Sequence, residues 1–274
     1  MSLLIFSTFL QCQDKDKNYN NSSSANNIEV IKLPNSLNEV SGLAISDDGN
    51  LFCHNDEIGV IYQIDPSSGK IIKNFQLGAW GLEADFEDIA IVGDKFFLIT
   101  SNGILYEFSE GSNLEKIKFD EIDLNFSSKF EIEGLCYDPS SESLLIACKD
   151  YSGKNYKGMR AVYSFSLKTK KVNKTPRFLI SLKGLKNKFG IKKFFPSAVS
   201  REPNSGNFFV LSSKGNPAIV ELDSSGTLVS GKLLDKKMHP QPEGLAFNKN
   251  GDMLISNESV NSSANIIIYK YGKK

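Results

Sequence analysis

One short pattern recurs five times in this chain at a nearly constant interval. Its copies are Ser41-Gly42-Leu43-Ala44, Glu87-Asp88-Ile89-Ala90, Glu133-Gly134-Leu135-Cys136, Ser197-Ala198-Val199-Ser200 and Glu243-Gly244-Leu245-Ala246. Successive copies start 46, 46, 64 and 46 residues apart, so the odd interval is one period with 18 residues added. A period near 45 residues made only of short apolar strands is the mark of propeller blades.

Within each period the chain reads as four short strands separated by Asp, Gly, Asn and Ser, the residues that hairpin turns require. The first period gives Gly42–Ser46, Leu51–Asn55, Val60–Asp65 and Lys70–Leu77, and the second gives Asp88–Val92, Lys95–Thr100, Ile104–Phe108 and Lys116–Ile122. The fifth holds only three, Gly244–Phe247, Met253–Ser256 and Ile266–Tyr271. The run Ile28–Leu33, which precedes the first copy, supplies the missing outer strand. The expected fold is therefore an all-β, five-bladed propeller over residues 28–274, closed by pairing its two ends, which avoids leaving a vulnerable sheet edge. The added residues fall within Lys183–Phe195 and read as a long loop with a single helical turn beside the channel mouth.

Charge is balanced overall, 32 basic against 32 acidic residues, which argues against whole-protein attraction to nucleic acid. Its distribution is uneven. Tyr151 to Arg201 holds fourteen Lys and Arg and no Asp or Glu, leaving 18 basic against 32 acidic residues elsewhere. One basic flank on an acidic body is expected. Cys53, Cys136 and Cys148 lack zinc-site spacing and read as buried thiols, with a Cys136–Cys148 disulfide as the alternative.

At the start of the chain, the apolar run Leu3-Leu4-Ile5-Phe6 stops shortly before Cys12, and a polar tract follows from Gln13 to Asn27. Residues 1–12 resemble a short bacterial lipoprotein signal, with Cys12 the residue to be lipidated, and 13–27 read as a flexible tether. The expectation is an exported monomer in the periplasm or outer membrane, held by lipid. No stretch approaches the ~18 apolar residues of a spanning helix.

In a propeller the first strand of each blade lines the channel, so the residue opening each motif stands where five blades converge. Those residues are Ser41, Glu87, Glu133, Ser197 and Glu243, and two positions earlier stand Glu39, Asp85, Glu131, Phe195 and Gln241. Side chains two apart on a strand point the same way. Three gathered carboxylates must take up protons or a cation. An all-oxygen set suits Ca²⁺ before Mg²⁺. The metal set is Glu87, Glu133 and Glu243 with Asn55 and Asp56, and Asn257 and Glu258 offer further oxygens. Glu39, Asp85, Glu131 and His239 are the candidates to touch a ligand at the mouth, and Lys149, Arg160 and Lys214 could meet an anion there. No Gly-x-Ser-x-Gly, phosphate-binding glycine loop or His-Glu-x-x-His occurs, so any turnover would be metal-assisted.

The segments Leu37-Asn38-Glu39-Val40-Ser41-Gly42-Leu43-Ala44, Phe86-Glu87-Asp88-Ile89-Ala90, Ile132-Glu133-Gly134-Leu135 and Pro242-Glu243-Gly244-Leu245-Ala246 resemble the bacterial SdiA-regulated family. The resemblance spans about Ile28 to Tyr271. It implies a five-bladed propeller, distantly like NHL repeats, with calcium in the channel region. Glu87, Glu133 and Glu243 match best as its ligands, and Ser41 and Ser197 would add at most weaker hydroxyl ligands. Three functions follow as expectations: a Ca²⁺-binding envelope protein whose mouth takes a small ligand or an envelope partner, a metal-dependent phosphoesterase or lactonase-like hydrolase, and a scaffold with structural calcium.

Overall fold

The computed structural model describes residues 27–260 and 262–271. Strand β1 (Ile28–Lys32) comes first in the chain but is not part of the first blade. Blade 1 is β2 (Val40–Ile45), β3 (Leu51–Asn55), β4 (Val60–Ile64) and β5 (Ile71–Leu77). Blade 2 begins with β6 (Phe86–Val92), β7 (Lys95–Thr100) and β8 (Ile104–Ser109). The fourth strand expected at Lys116–Ile122 is divided. Lys116–Ile117 (β9) pairs in parallel with β5 of blade 1, and Asp120–Asp123 (β10) completes blade 2.

Blade 3 is β11 (Ile132–Asp138), β12 (Ser143–Cys148) and β13 (Met159–Ser166), whose outer edge is shared by β14 (Lys171–Val172) and β15 (Phe178–Ser181). Blade 4 is β16 (Pro196–Arg201), β17 (Phe208–Ser212), β18 (Ala218–Leu222) and β19 (Leu228–Leu233). Blade 5 is β20 (Pro242–Phe247), β21 (Met253–Asn257) and β22 (Asn265–Tyr269), and β1 pairs antiparallel with β22 as its outer strand, Ile28 opposite Tyr269. The ring therefore closes through both ends of the chain, as the strand count required.

The core lies between blades rather than in one mass. Five apolar clusters fill the five blade interfaces. That between blades 1 and 2 is aromatic, with Phe52 and Phe96 edge to face at 5.0 Å. Cys53, Cys136 and Cys148 are buried free thiols within these layers, and no disulfide joins Cys136 to Cys148.

The inserted segment is more ordered than a loop with one turn. It forms α1 (Leu182–Phe189), two turns long, because both ends are capped. The Ser181 hydroxyl accepts from the Gly184 amide, and Gly190 closes the helix in the left-handed region at φ 71°. No helix among the described residues is long and apolar enough to cross a membrane. The expected signal segment 1–12 with Cys12, and the tether at 13–27 except Asn27, lie outside the described residues.

Candidate functional site

The five inner strands β2, β6, β11, β16 and β20 stand side by side around the channel. Each is irregular at one place. Against its second strand, each inner strand slips by one residue, at the opening position of its motif in blades 2, 3 and 4 and across that position and the following glycine in blades 1 and 5. In blade 2, Phe86 pairs with Thr100 and Asp88 with Ile99, leaving Glu87 as the extra residue; Glu133 and Ser197 are extra in the same way. A β-bulge re-aims the side chain it carries. The repeated motif thus encodes a ring of bulges as well as a strand, and Glu87, Glu133 and Glu243 are the acids on it.

Two further rings surround this one. The residue following each second strand is Asp56, Ser101, Lys149, Ser213 or Glu258. Their amides reach back to the carbonyls two positions before the motifs: Asp56 to Glu39 at 3.3 Å, Ser101 to Asp85 at 3.0 Å, Lys149 to Glu131 at 2.8 Å and Glu258 to Gln241 at 3.0 Å. The mouth is built from these three concentric sets. Between blades 2 and 3 it holds a cavity of about 410 Å³, where Asp85, Glu87, Glu131 and Glu133 meet Lys149 beside Ser101, Asn102 and Ser128.

The electrostatics follow from removing acids from water. Burial first, then the neighbouring Glu133, push the Glu87 carboxyl far above the usual carboxylate range. Glu243 rises to about 8, by burial and then by Glu258, although the Ser213 hydroxyl donates to it. Glu258 rises to about 7 and Asp56 to about 6, burial leading in both. Glu133 is only 4% exposed and is also raised by burial, against the pull of Lys149, whose ammonium lies 2.6 Å from it. Burial alone would lower the Lys149 ammonium, yet Glu133, Glu87 and Glu243 hold it up. Within this group Asp56 Oδ1 is buried without a hydrogen-bond partner.

Beside the motif's opening positions the inner strands of neighbouring blades pack so closely that no Cβ fits. A Cβ added to Gly244 would lie 2.4 Å from the Ser41 carbonyl, and one on Gly42 would lie 2.4 Å from Asp88 Oδ1. Asp88, fully buried, bridges blades 2 and 3 by accepting from the Ile89 and Leu135 amides at 2.8 and 2.7 Å. His54 sits in the same layer, its Nε2 accepting from the Gly42 amide at 3.1 Å. The opposite end of the channel is a smaller cavity of about 130 Å³, lined mostly by apolar residues such as Leu43, Leu135 and Leu245.

The structure brings together Glu39, Asp56, Asp85, Glu87, Glu131, Glu133, Glu243 and Glu258, either by shared cavity or by mutual repulsion. It does not bring in Asn55 or Asn257. Asn55 Oδ1 accepts from the Glu57 amide at 3.0 Å, and Asn257 is held by His239 and Asn265. His239 is fully buried away from the mouth, with Nδ1 3.0 Å from Asn257 Oδ1, Nε2 2.6 Å from the Tyr269 hydroxyl, and its ring stacked on Tyr269. Ser41 and Ser197 spend their hydroxyl protons between blades, on the Glu87 carbonyl at 2.6 Å and the Pro242 carbonyl at 3.0 Å. Ser101, Asn102, Ser128 and Ser213 are mouth residues that sequence reading missed, and the end of each second strand was the signal for Ser101 and Ser213.

The donor chemistry fits a hard cation: oxygens only, desolvated, mutually repelling, with one carboxylate oxygen orphaned. The side chains stand apart, and among the described residues no three Asp, Glu, His or Cys are drawn into one ligand sphere.

Solved structures share this architecture at low identity. A luciferin-regenerating enzyme is 9% identical, with TM-score 0.56, covering 89% of this chain and 95% of its own. Glutaminyl cyclase of Myxococcus xanthus is 13% identical, with TM-score 0.55 and coverage of 88% and 94%. A streptogramin B lyase is 13% identical, with TM-score 0.51 and coverage of 88% and 96%. At such identity they show the fold alone. No curated protein matches the sequence significantly. The model of the SdiA-regulated family matches residues 17–261, which include all five motifs, the bulged glutamates and Lys149, and the chain belongs to that family.

Proposed function

We propose that the acidic mouth binds Ca²⁺ and that the propeller is an envelope protein recognising a small ligand or partner beside that ion. The supporting observation is the bulge ring, which carries Glu87, Glu133 and Glu243 as desolvated, mutually repelling acids, with the unpartnered Asp56 Oδ1 next to Glu258 and Asp85 in the same acidic mouth. Glu87, Glu133 and Glu243 would hold the ion, with Asp85 and Glu258 the neighbouring acids. Ca²⁺ accepts irregular sets of six to eight oxygens, and carboxylates whose pKa burial has raised give up their protons to solvent as the ion takes their place. The lipoprotein-like segment around Cys12 supports the envelope location.

Binding is a better reading of the mouth than turnover. Both histidines are buried and hydrogen-bonded within the fold. That leaves carboxylates and lysines as the titratable groups at the mouth. The test is thermal melting in a chelator and in Ca²⁺, for wild type and Glu133→Gln. A ligand at a hundredfold excess over Kd adds about 2.7 kcal/mol, which raises Tm by several degrees in wild type and less in the variant. Identical melting curves with and without Ca²⁺ would remove the ion from the account.

A further inference from the structure

The mouth is not acidic all the way round. At the ring position where blades 1, 2 and 3 carry Glu39, Asp85 and Glu131, blade 4 carries Phe195. Two cations lie over that ring, the Arg160 guanidinium 4.9 Å and the Lys214 ammonium 5.3 Å from its centroid. Arg160 is fully committed, to the Asp150 carboxylate at 2.9 Å and to the carbonyls of Phe194 and Asp150 at 2.7 and 3.0 Å. Lys214 is exposed and has no carboxylate or hydrogen-bond partner among the described residues.

Lys193 joins it. The Lys193 stem comes within 4.0 Å of the point a Cβ on Gly215 would occupy, so it lies against the turn that carries Lys214. Behind them α1 and its exit present Lys183, Lys186, Lys188 and Lys192, all exposed and without ion pairs among the described residues. No acid occurs between Tyr151 and Arg201 to offset them. Clustered like charges without partners raise the free energy of the isolated molecule, and an anion lowers it.

We propose that blade 4 carries an anion seat at the rim of the mouth, formed by Lys214 above Phe195 and by Lys193 against the Lys214 turn, that takes a small ligand bearing more than one phosphate. The far end of that ligand reaches the cation held by Glu87, Glu133 and Glu243, and this second half rests on the Ca²⁺ reading. Lysine ammonium groups are compact point charges suited to phosphate, and the Phe195 face gives Lys214 an apolar floor. The shape of the charge argues for a small ligand. Glu39, Asp56, Asp85, Glu131 and Glu258 lie across the same mouth and repel a broad anionic sheet, whereas a small anion can occupy the basic side alone.

The test is calorimetry of the full chain with fructose 1,6-bisphosphate, with and without Ca²⁺. The variants are Lys193→Met/Lys214→Met and, as a control, Lys174→Met, an exposed lysine following β14. The expected result is binding by wild type and Lys174→Met that weakens about tenfold or more in the double variant and falls with salt. Ca²⁺ should tighten binding in wild type but not in Glu133→Gln. Binding lost in the double variant yet indifferent to Ca²⁺ upholds the seat and removes the Ca²⁺ bridge. Ca²⁺ binding without any bisphosphate binding overturns the seat and leaves the ion site standing. Equal weakening by Lys174→Met overturns it as non-specific charge. Lysine-dependent binding to phosphatidylglycerol vesicles without bisphosphate binding overturns it in favour of a lipid surface.

Discussion

The Lys149 ammonium lies 2.6 Å from Glu133 Oε1, at the centre of a mouth whose other ring positions are acids, serines, Phe195 and Gln241. Lys149 follows β12 just as Asp56 follows β3 and Glu258 follows β21, so a cation of the chain itself stands where two other blades place carboxylates. It partly neutralises a site that would otherwise hold several desolvated acids.

Lys149→Met therefore has two effects of opposite sign. In a chelator the variant is less stable, because Glu133 loses its partner. Breaking a fully buried pair costs about 3–5 kcal/mol, and the partial exposure of the lysine places this case at about 1–3 kcal/mol. Its Ca²⁺ affinity is higher, because the ammonium no longer competes for the same carboxylates. Urea denaturation in chelator and calorimetry with Ca²⁺ measure the two; weaker Ca²⁺ binding in the variant would show that Lys149 does not oppose the ion.

Gly244→Ala should be among the more damaging single-methyl changes. The new Cβ would lie 2.4 Å from the Ser41 carbonyl oxygen and 2.5 Å from Ser256 Oγ, which itself donates to that carbonyl at 2.9 Å. Blades 1 and 5 would have to separate where the ring closes. The expected loss is about 2–3 kcal/mol, read by urea denaturation. A change under about 0.5 kcal/mol would mean that the packing of blade 5 on blade 1 yields freely.

Buried His239 gives stability a specific pH dependence. Burial lowers its pKa to about 4, against 6.5 in the unfolded chain, while Asn257 partly offsets the shift. A lowered pKa means that the unfolded chain binds the extra proton. The stabilisation is therefore complete above about pH 6.5 and is lost as pH falls towards 4. The stability difference between wild type and His239→Gln should shrink by about 2–3 kcal/mol between pH 7 and 4. A difference constant over that range would place a charged imidazole in the folded protein.

Removing the closing strand should free an edge. Ile31 of β1 is 7% exposed and packs in the cluster between blades 5 and 1. Ile31→Asp buries a charge there and strips the cover from β22. Loss of stability accompanied by self-association on size-exclusion chromatography is expected. A stable monomer would show that blade 5 stands with three strands.

What was legible in the sequence follows from these details. The period and the missing strand of blade 5 gave the ring and its closure, because a closed sheet array has to account for every edge. The glutamates were legible because the motif fixes their place. Their bulge was not: one extra residue in a strand leaves the period unchanged. Ser101 and Ser213 were harder to find because they come 14 and 16 residues after their motifs, the turns between first and second strands differing in length, and Lys149, read as an anion contact, pairs with Glu133. His239 misled because closeness in sequence to Gln241 says nothing of which way a loop ring turns, and Tyr269, 30 residues on, captures it. The split of Lys116–Ile122 between two blades depends on packing against β5, which has no local signature.

Calorimetric titration of the full chain with Ca²⁺ asks outright whether the bulged glutamates hold a divalent cation. Wild type should bind one ion at the mouth. Glu87→Gln, Glu133→Gln and Glu243→Gln should each weaken that binding by about tenfold or more, while Glu121→Gln, an exposed acid on β10, leaves it unchanged. Absence of binding by wild type, or equal binding by all three ring variants, would contradict the account.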